Sequence, residues 1–329
     1  YAPGMPTSHR VSRFSRALGL VLGALPLLAA DGCGGGTARV DLQERFDADR
    51  AWKHLVKQVE FGPRSAGTPA LERTRAWLET ELRAVGLEPQ REAFEVSTPI
   101  GPTAFANIFA DLPGKAKEGA APPPFVILCA HFDTKRFEGP GAPPLGTFVG
   151  ANDGASGTAV VLELARVLKE SAPHDRGYRF LFLDGEESLR WTWQDPDNTY
   201  GARHHAKRLV DSGERERVEA VVLLDMVGDS QLKLLQETSS DHALLKTFFD
   251  AAKELGLGPY VNGPARQIED DHIRFIEIGL RAVDLIDFSY GPANAHWHSA
   301  NDTLANCSKA SLGVTGRIVL RGLQRLGKK

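Results

Sequence analysis

Four short, almost unbroken apolar runs constrain the fold of this 329-residue chain more than any other feature. They are "FVILCA" (125–130), "YRFLFLD" (178–184), "AVVLLDM" (220–226) and "RAVDLID" (281–287). Runs this short, without polar alternation, suit strands covered on both faces. Between and after them lie amphipathic stretches at 156–170, 200–211, 241–256 and 309–326. Strands alternating with helices predict an α/β fold: a single-domain, three-layer sandwich whose mixed, largely parallel sheet carries helices on both faces.

Ahead of this core, 42–60 and 69–85 show apolar positions at helical spacing, the second opening on Thr68–Pro69 as cap and first turn. Residues 89–98 and 103–112 read as a hairpin-like pair of strands, and the Gly- and Pro-rich 114–124 as a loop. Earlier still, Arg10, Arg13 and Arg16 precede the apolar "ALGLVLGALPLLAA" (17–30), too short for a membrane span. The expectation is a secretory signal and a secreted or periplasmic protein. Cys33, in "AADGCGGG", resembles a bacterial lipoprotein cleavage site, which would add a lipid anchor and a membrane tether. On this reading 1–33 are leader, 34–41 linker and 42–329 the folded domain. Three cysteines make no disulfide framework, and a Cys129–Cys307 bridge stays open. A formal charge of -3 and a pI near 6.4 exclude a polyanion-binding surface, so no nucleic-acid partner is expected, and a monomer is.

In open α/β sheets the site lies beyond the carboxyl ends of the strands. Here "FVILCA" is followed by His131 and Asp133, "FLFLD" by Glu186 and Glu187, and "VVLLD" stops on Asp225. Asp153 sits in the small-residue loop "GANDGASG", and His298 in "HWHSANDT" after the last strand. Singly, each has a plain explanation: Asp153 a helix cap, Asp225 a turn residue, Glu187 a solvated carboxylate, the histidines hydrogen-bonded. Jointly, imidazoles and carboxylates delivered to one sheet edge suit zinc or a similar divalent ion with an open catalytic position.

The order "HFD" (131–133), "ND" (152–153), "GEE" (185–187), "LLD" (223–225) and "HWHSANDT" (296–303) resembles the zinc aminopeptidase family with a two-metal site. "WQDPDNTYGARHHA" (193–206) and "IEDDHIRF" (268–275) are similar to segments of the animal-type glutaminyl cyclases, which share that fold. Aminopeptidases commonly read Ser-Asp-His in the segment equivalent to 268–275, so the additional Asp of "EDDH" is the discriminating residue. Two departures stand against this: Trp191 and Trp193 flank the position where the cyclases carry one Trp, and "HSANDT" keeps an aminopeptidase-like ending.

The cyclase resemblance implies one zinc held by Asp153, Glu187 and His298. Glu186 would transfer the proton, with Asp225 and Asp270 in an acidic network around it. Trp297, Trp193 and Glu269 would contact substrate, and His131 would match a second-metal ligand or stand behind the site. The implied activity of 42–329 is a glutaminyl-peptide cyclotransferase acting on peptide or protein N-termini that bear Gln. The alternative is a two-zinc aminopeptidase, and a third reading is an inactive binding domain on the same fold, although the ligands and Glu186 are all present. His204 and His205 read as surface or capping residues of a helix, and His272 as a partner standing behind the site.

Overall fold

The computed structural model describes residues 41–116, 118–137 and 148–326. The expected leader and linker, with Cys33, fall outside the described residues; no described helix is long and apolar enough to cross a membrane. From Asp41 onward the chain forms one compact unit.

The chain enters through a short 3-10 turn, Leu42–Arg45, and helix α1, Ala48–Glu60. One helix was expected over 42–60. It breaks because the Asp47 carboxylate accepts the Asp49 and Arg50 N–H groups at 2.9 and 3.2 Å, capping a new helix. Helix α2 (Pro69–Ala84) starts at Thr68, whose hydroxyl accepts the Leu71 N–H. Strands β1 (Pro89–Thr98) and β2 (Gly101–Leu112) pair antiparallel as expected. There follow β3 (Phe125–His131), α3 (Ala155–Glu170), β4 (Gly177–Leu183), α4 (Tyr200–Asp211) and β5 (Val218–Asp225). The remainder is β6 (Gln236–Glu237), α5 (His242–Glu254), β7 (Ala265–Arg266), α6 (Asp271–Glu277), β8 (Ala282–Ile286) and α7 (Lys309–Leu326).

Six strands form a mixed sheet in the order β1-β2-β4-β3-β5-β8, with β4, β3, β5 and β8 mutually parallel. The apolar runs send alternate residues to two cores. Val126, Leu128 and Val222 face α1, α3, α5 and α7, while Ile127, Cys129 and Leu223 face Leu209 of α4 and Phe275 of α6. The three-layer expectation therefore holds. β6 and β7 form a separate two-stranded pair, and neither they nor α6 show a periodic signal long enough to read.

Burial corrects one sequence expectation. His205 is fully buried, because α4 lies flat on the sheet, and its Nδ1 sits 2.9 Å from the Glu92 carboxylate. His204 stacks on Phe94 at 4.1 Å. Cys129 and Cys307 are both buried free thiols, which closes the question of a bridge between them.

Candidate metal centre and cleft

Parallel register delivers the site. His131, the last residue of β3, stands opposite Leu183 of β4, and Asp225 at the end of β5 stands opposite Ile286 of β8. The carboxyl ends of three neighbouring strands thus release His131, Glu186–Glu187 and Asp225 at one edge. After β4 the chain turns at Gly185, φ +70°, where a Cβ would lie 2.5 Å from the Phe105 ring. No side chain fits there, and the turn hands the next two carboxylates to the cleft.

Asp153, Glu187 and His298 converge, with one donor atom from each within 4.8 Å of the others. His298 Nε2 is 3.0 Å from Glu187 Oε1 and 3.3 Å from Asp153 Oδ2. Asp153 Oδ2 and Glu187 Oε2 are buried without a hydrogen bond, and the nearest cation to the latter is Lys135 Nζ at 3.5 Å. Two carboxylates and an imidazole, with orphaned oxygens and an open side toward the cleft, are a donor set that fits zinc. His298 has φ +48° and Met226, just after Asp225, φ +49°. Non-glycine residues in that region cost on the order of 1 kcal/mol and cluster where surrounding structure fixes a functional side chain.

A second group shares Asp153. His131 Nε2 lies 3.2 Å from Asp225 Oδ1 and 3.3 Å from Asp153 Oδ1. Burial pulls the His131 imidazole down, but Glu186 and its bonds to Asp133, Asp153 and Asp225 outweigh it and hold the ring well above its ordinary value. Asp153 is pushed up by burial, yet the neighbouring His131 and His298 imidazoles keep it below the usual carboxylate range. Glu186 and Asp270 are both raised well above that range, first by burial and then by neighbouring carboxylates. His131 is the main opposing charge at Glu186.

Sequence reasoning left three supports of the site without a role. Asp133 Oδ1 and Oδ2 accept the backbone N–H groups of Glu186 and Glu187. Asp302 accepts those of Asn152 and Asp153 at 2.7 and 3.1 Å. Arg64, wholly buried, donates to the carbonyls of Phe132, Val149 and Gly150, joining the end of β3 to the loop before Asp153. Asp133 in "HFD" and Asp302 in "HWHSANDT" stood inside motifs, whereas Arg64 carried no signal.

A cleft of about 310 Å³ opens over the donor group. Trp193, Trp297, Glu269, Asp225 and Asp270 all line it, alongside Glu186. Trp297 stacks on His298 at 4.0 Å, and the Trp193 indole donates to Glu269 at 3.2 Å. Trp191 lies outside this lining and packs on Phe137. Behind Asp270 is a third group, fully buried: His272 lies 3.2 Å from Glu237 and 4.0 Å from Asp284.

Residues 107–323 match the sequence model of peptidase family M28. A mouse (Mus musculus) glutaminyl-peptide cyclotransferase-like protein is 30% identical over 308 residues, covering 84% of this chain and 75% of its own. The chain belongs to the glutaminyl-peptide cyclotransferase family within peptidase family M28. The likeness of this cyclotransferase-family chain extends to structure. A solved glutaminyl cyclase from an Acidobacteriales bacterium overlays it with a TM-score of 0.79 at 29% identity, covering 86% of this chain and 96% of that one. A Zn-dependent exopeptidase from Parabacteroides distasonis overlays with a TM-score of 0.74 at 25% identity, covering 86% and 99%. The cyclotransferase family and its peptidase relatives thus share one scaffold, and the site has to separate their chemistries.

Proposed function

We propose that this chain is a zinc-dependent glutaminyl-peptide cyclotransferase, converting N-terminal glutamine of peptides and proteins to pyroglutamate with release of ammonia. The observation that carries the reading is the split between neighbouring glutamates. Glu187 joins Asp153 and His298, while Glu186 lines the same cleft outside that donor group.

Zinc held by Asp153, Glu187 and His298 would polarise the side-chain amide of the substrate and stabilise negative charge on its oxygen. The rest falls to the chain. Glu186 takes a proton from the α-amine as that nitrogen attacks the amide carbon, and returns it to the departing nitrogen. The ring C–N bond forms as the old one breaks, ammonia carries the proton away, and no water is consumed. Asp225 and Asp270 keep further acid beside Glu186, so the three titrate as a set rather than singly. Trp297 and Trp193 wall the glutamine side chain, and Glu269 offers a further substrate contact at the mouth. The leader-like 1–33 supports export, with Cys33 as a point of lipid attachment.

A two-metal aminopeptidase is the second reading, favoured by the convergence of His131, Asp153 and Asp225 on one point. Coupled detection of ammonia from a Gln-peptide separates the two. Release of ammonia with one zinc per chain supports the cyclotransferase. Turnover of Leu- or Ala-anilides without ammonia, with two ions per chain, moves the assignment to the peptidase.

A further inference from the structure

We propose that Arg266 makes this enzyme select peptides whose residue after the N-terminal glutamine is acidic. The inference rests on the cyclotransferase reading and names the substrate class for the same cleft.

Arg266 ends β7 and lines the cleft together with Glu186, Glu187 and Trp297. Its backbone is fixed, since it pairs with Glu237 and its carbonyl accepts the Thr238 N–H at 3.1 Å. Its guanidinium stands 4.7 Å from the centre of the Phe288 ring. That ring meets Trp297 edge-on at 4.8 Å, and Trp297 stacks on His298 at 4.0 Å. A continuous series of ring contacts therefore seats the charge beside the donor group, and less side-chain entropy is lost when a ligand binds. Among the described residues no carboxylate lies within 4.0 Å of this guanidinium, so its donors are open to a ligand.

The surroundings give that charge its meaning. Asp153, Glu186, Glu187, Asp225 and Asp270 crowd the floor of the cleft. Alone they would repel an acidic peptide and favour a basic one. The reacting end of the substrate must reach that floor, so its next residue leaves through the mouth. There Arg266, Gln267 and Glu269 are exposed. Arg266 is the one arginine or lysine among the described residues lining the cleft, with a planar fork suited to a carboxylate.

The test is kcat/KM for ammonia release from three amidated peptides differing only after glutamine, Gln-Glu, Gln-Ala and Gln-Lys, with the zinc enzyme and its Arg266→Ala and Arg266→Glu variants. The native enzyme should prefer Gln-Glu over Gln-Lys by about fivefold, the scale of a partly exposed charge pair. Arg266→Ala should remove the preference for Gln-Glu and leave the floor's bias toward Gln-Lys, and Arg266→Glu should strengthen that bias. The change should reside in KM rather than kcat, because Arg266 does not touch the reacting atoms. An unbiased native enzyme, or a preference that survives Arg266→Glu, overturns the proposal while leaving the cyclotransferase reading intact. No ammonia from any of the peptides overturns the reading, and the selectivity falls with it.

Discussion

Asp133 holds Glu186 by its backbone: its Oδ1 accepts the Glu186 N–H at 3.1 Å, and its other oxygen takes the Glu187 N–H at 3.3 Å. The carboxylate sits at the end of one strand and fixes the residues leaving the next. That bond is why two consecutive glutamates can serve different ends, with neither side chain free to drift into the other's place. Asp133→Ala should therefore lower kcat for ammonia release by about 10²-fold, the usual scale for misplacing a reacting group by roughly 1 Å. Zinc affinity should fall by about tenfold, as expected when support behind a ligand is lost. Steady-state kinetics beside metal analysis checks both, and an Asp133→Ala enzyme of native kcat would show that the Gly185 turn needs no such support.

The two glutamates should separate cleanly under substitution. Glu186→Gln keeps shape and removes the proton acceptor, so kcat should drop by about 10²- to 10⁴-fold with zinc still at one per chain. Glu187→Gln should release zinc into a chelating indicator. Loss of metal from Glu186→Gln, with retention in Glu187→Gln, would mean the roles are reversed.

Arg64 offers a test of the scaffold rather than the chemistry. Its guanidinium serves Phe132, Val149 and Gly150 at 2.9, 2.7 and 2.9 Å, and burial lowers it to about 10, against the pull of Asp302, Asp133 and Asp153. It therefore stays charged at neutral pH. Arg64→Ala leaves these carbonyls without partners, each costing about 1–3 kcal/mol when buried. A loss of at least about 3 kcal/mol is expected in urea denaturation. A shift under about 1 kcal/mol would mean that water takes over these bonds.

Much of this molecule was legible because its signals are local. "FVILCA" had to be buried on both faces, and parallel pairing had to bring His131, Glu187 and Asp225 to one edge. Asp47 hid a helix break inside a good helical pattern, since a capping carboxylate and a helix-interior one look alike until the backbone turns. Arg64 was unreadable for a different reason. A lone arginine in "FGPRSAG" is ordinarily solvated, and only the folded chain surrounds it with carbonyls from segments about seventy and eighty-five residues away. His205 went the same way: its helix was plain, but which face met the sheet was not. Asp284 sits in an apolar strand and gave no sign of the His272 it faces.

The buried acids behind the cleft make stability depend on pH in a direction opposite to the usual one. Both carboxylate oxygens of Asp271 are buried without a hydrogen bond. Burial first, then Asp133 and Asp225, outweigh the opposing pull of His131 and push it up to about 7. Burial does the same to Asp287, also to about 7. The folded protein keeps these protons where the unfolded chain, with an ordinary value near 3.8, has released them. Their stabilisation is complete below about pH 3.8 and is lost as pH rises through 7, at up to about 1.4 kcal/mol per pH unit for each group. Glu237 works the other way: burial opposes it, but the His272, Ser239, Ser240 and Ile268 bonds lower it to about 2, so its stabilisation is lost only as pH falls from 4.5 toward 2. Above the Glu237 window the protein should melt higher near pH 5 than near pH 7.5, by roughly 2 °C for each kcal/mol lost. Asp271→Asn removes the titrating proton while keeping the shape. It should raise the melting temperature near pH 7.5 relative to the parent, by less near pH 5, and not through this proton below about pH 3.8, where the acid is neutral in both the folded and the unfolded chain. Calorimetric scans of both proteins across that range decide the matter, and a displacement of equal size at every pH would show that Asp271 does not hold its proton in the folded state.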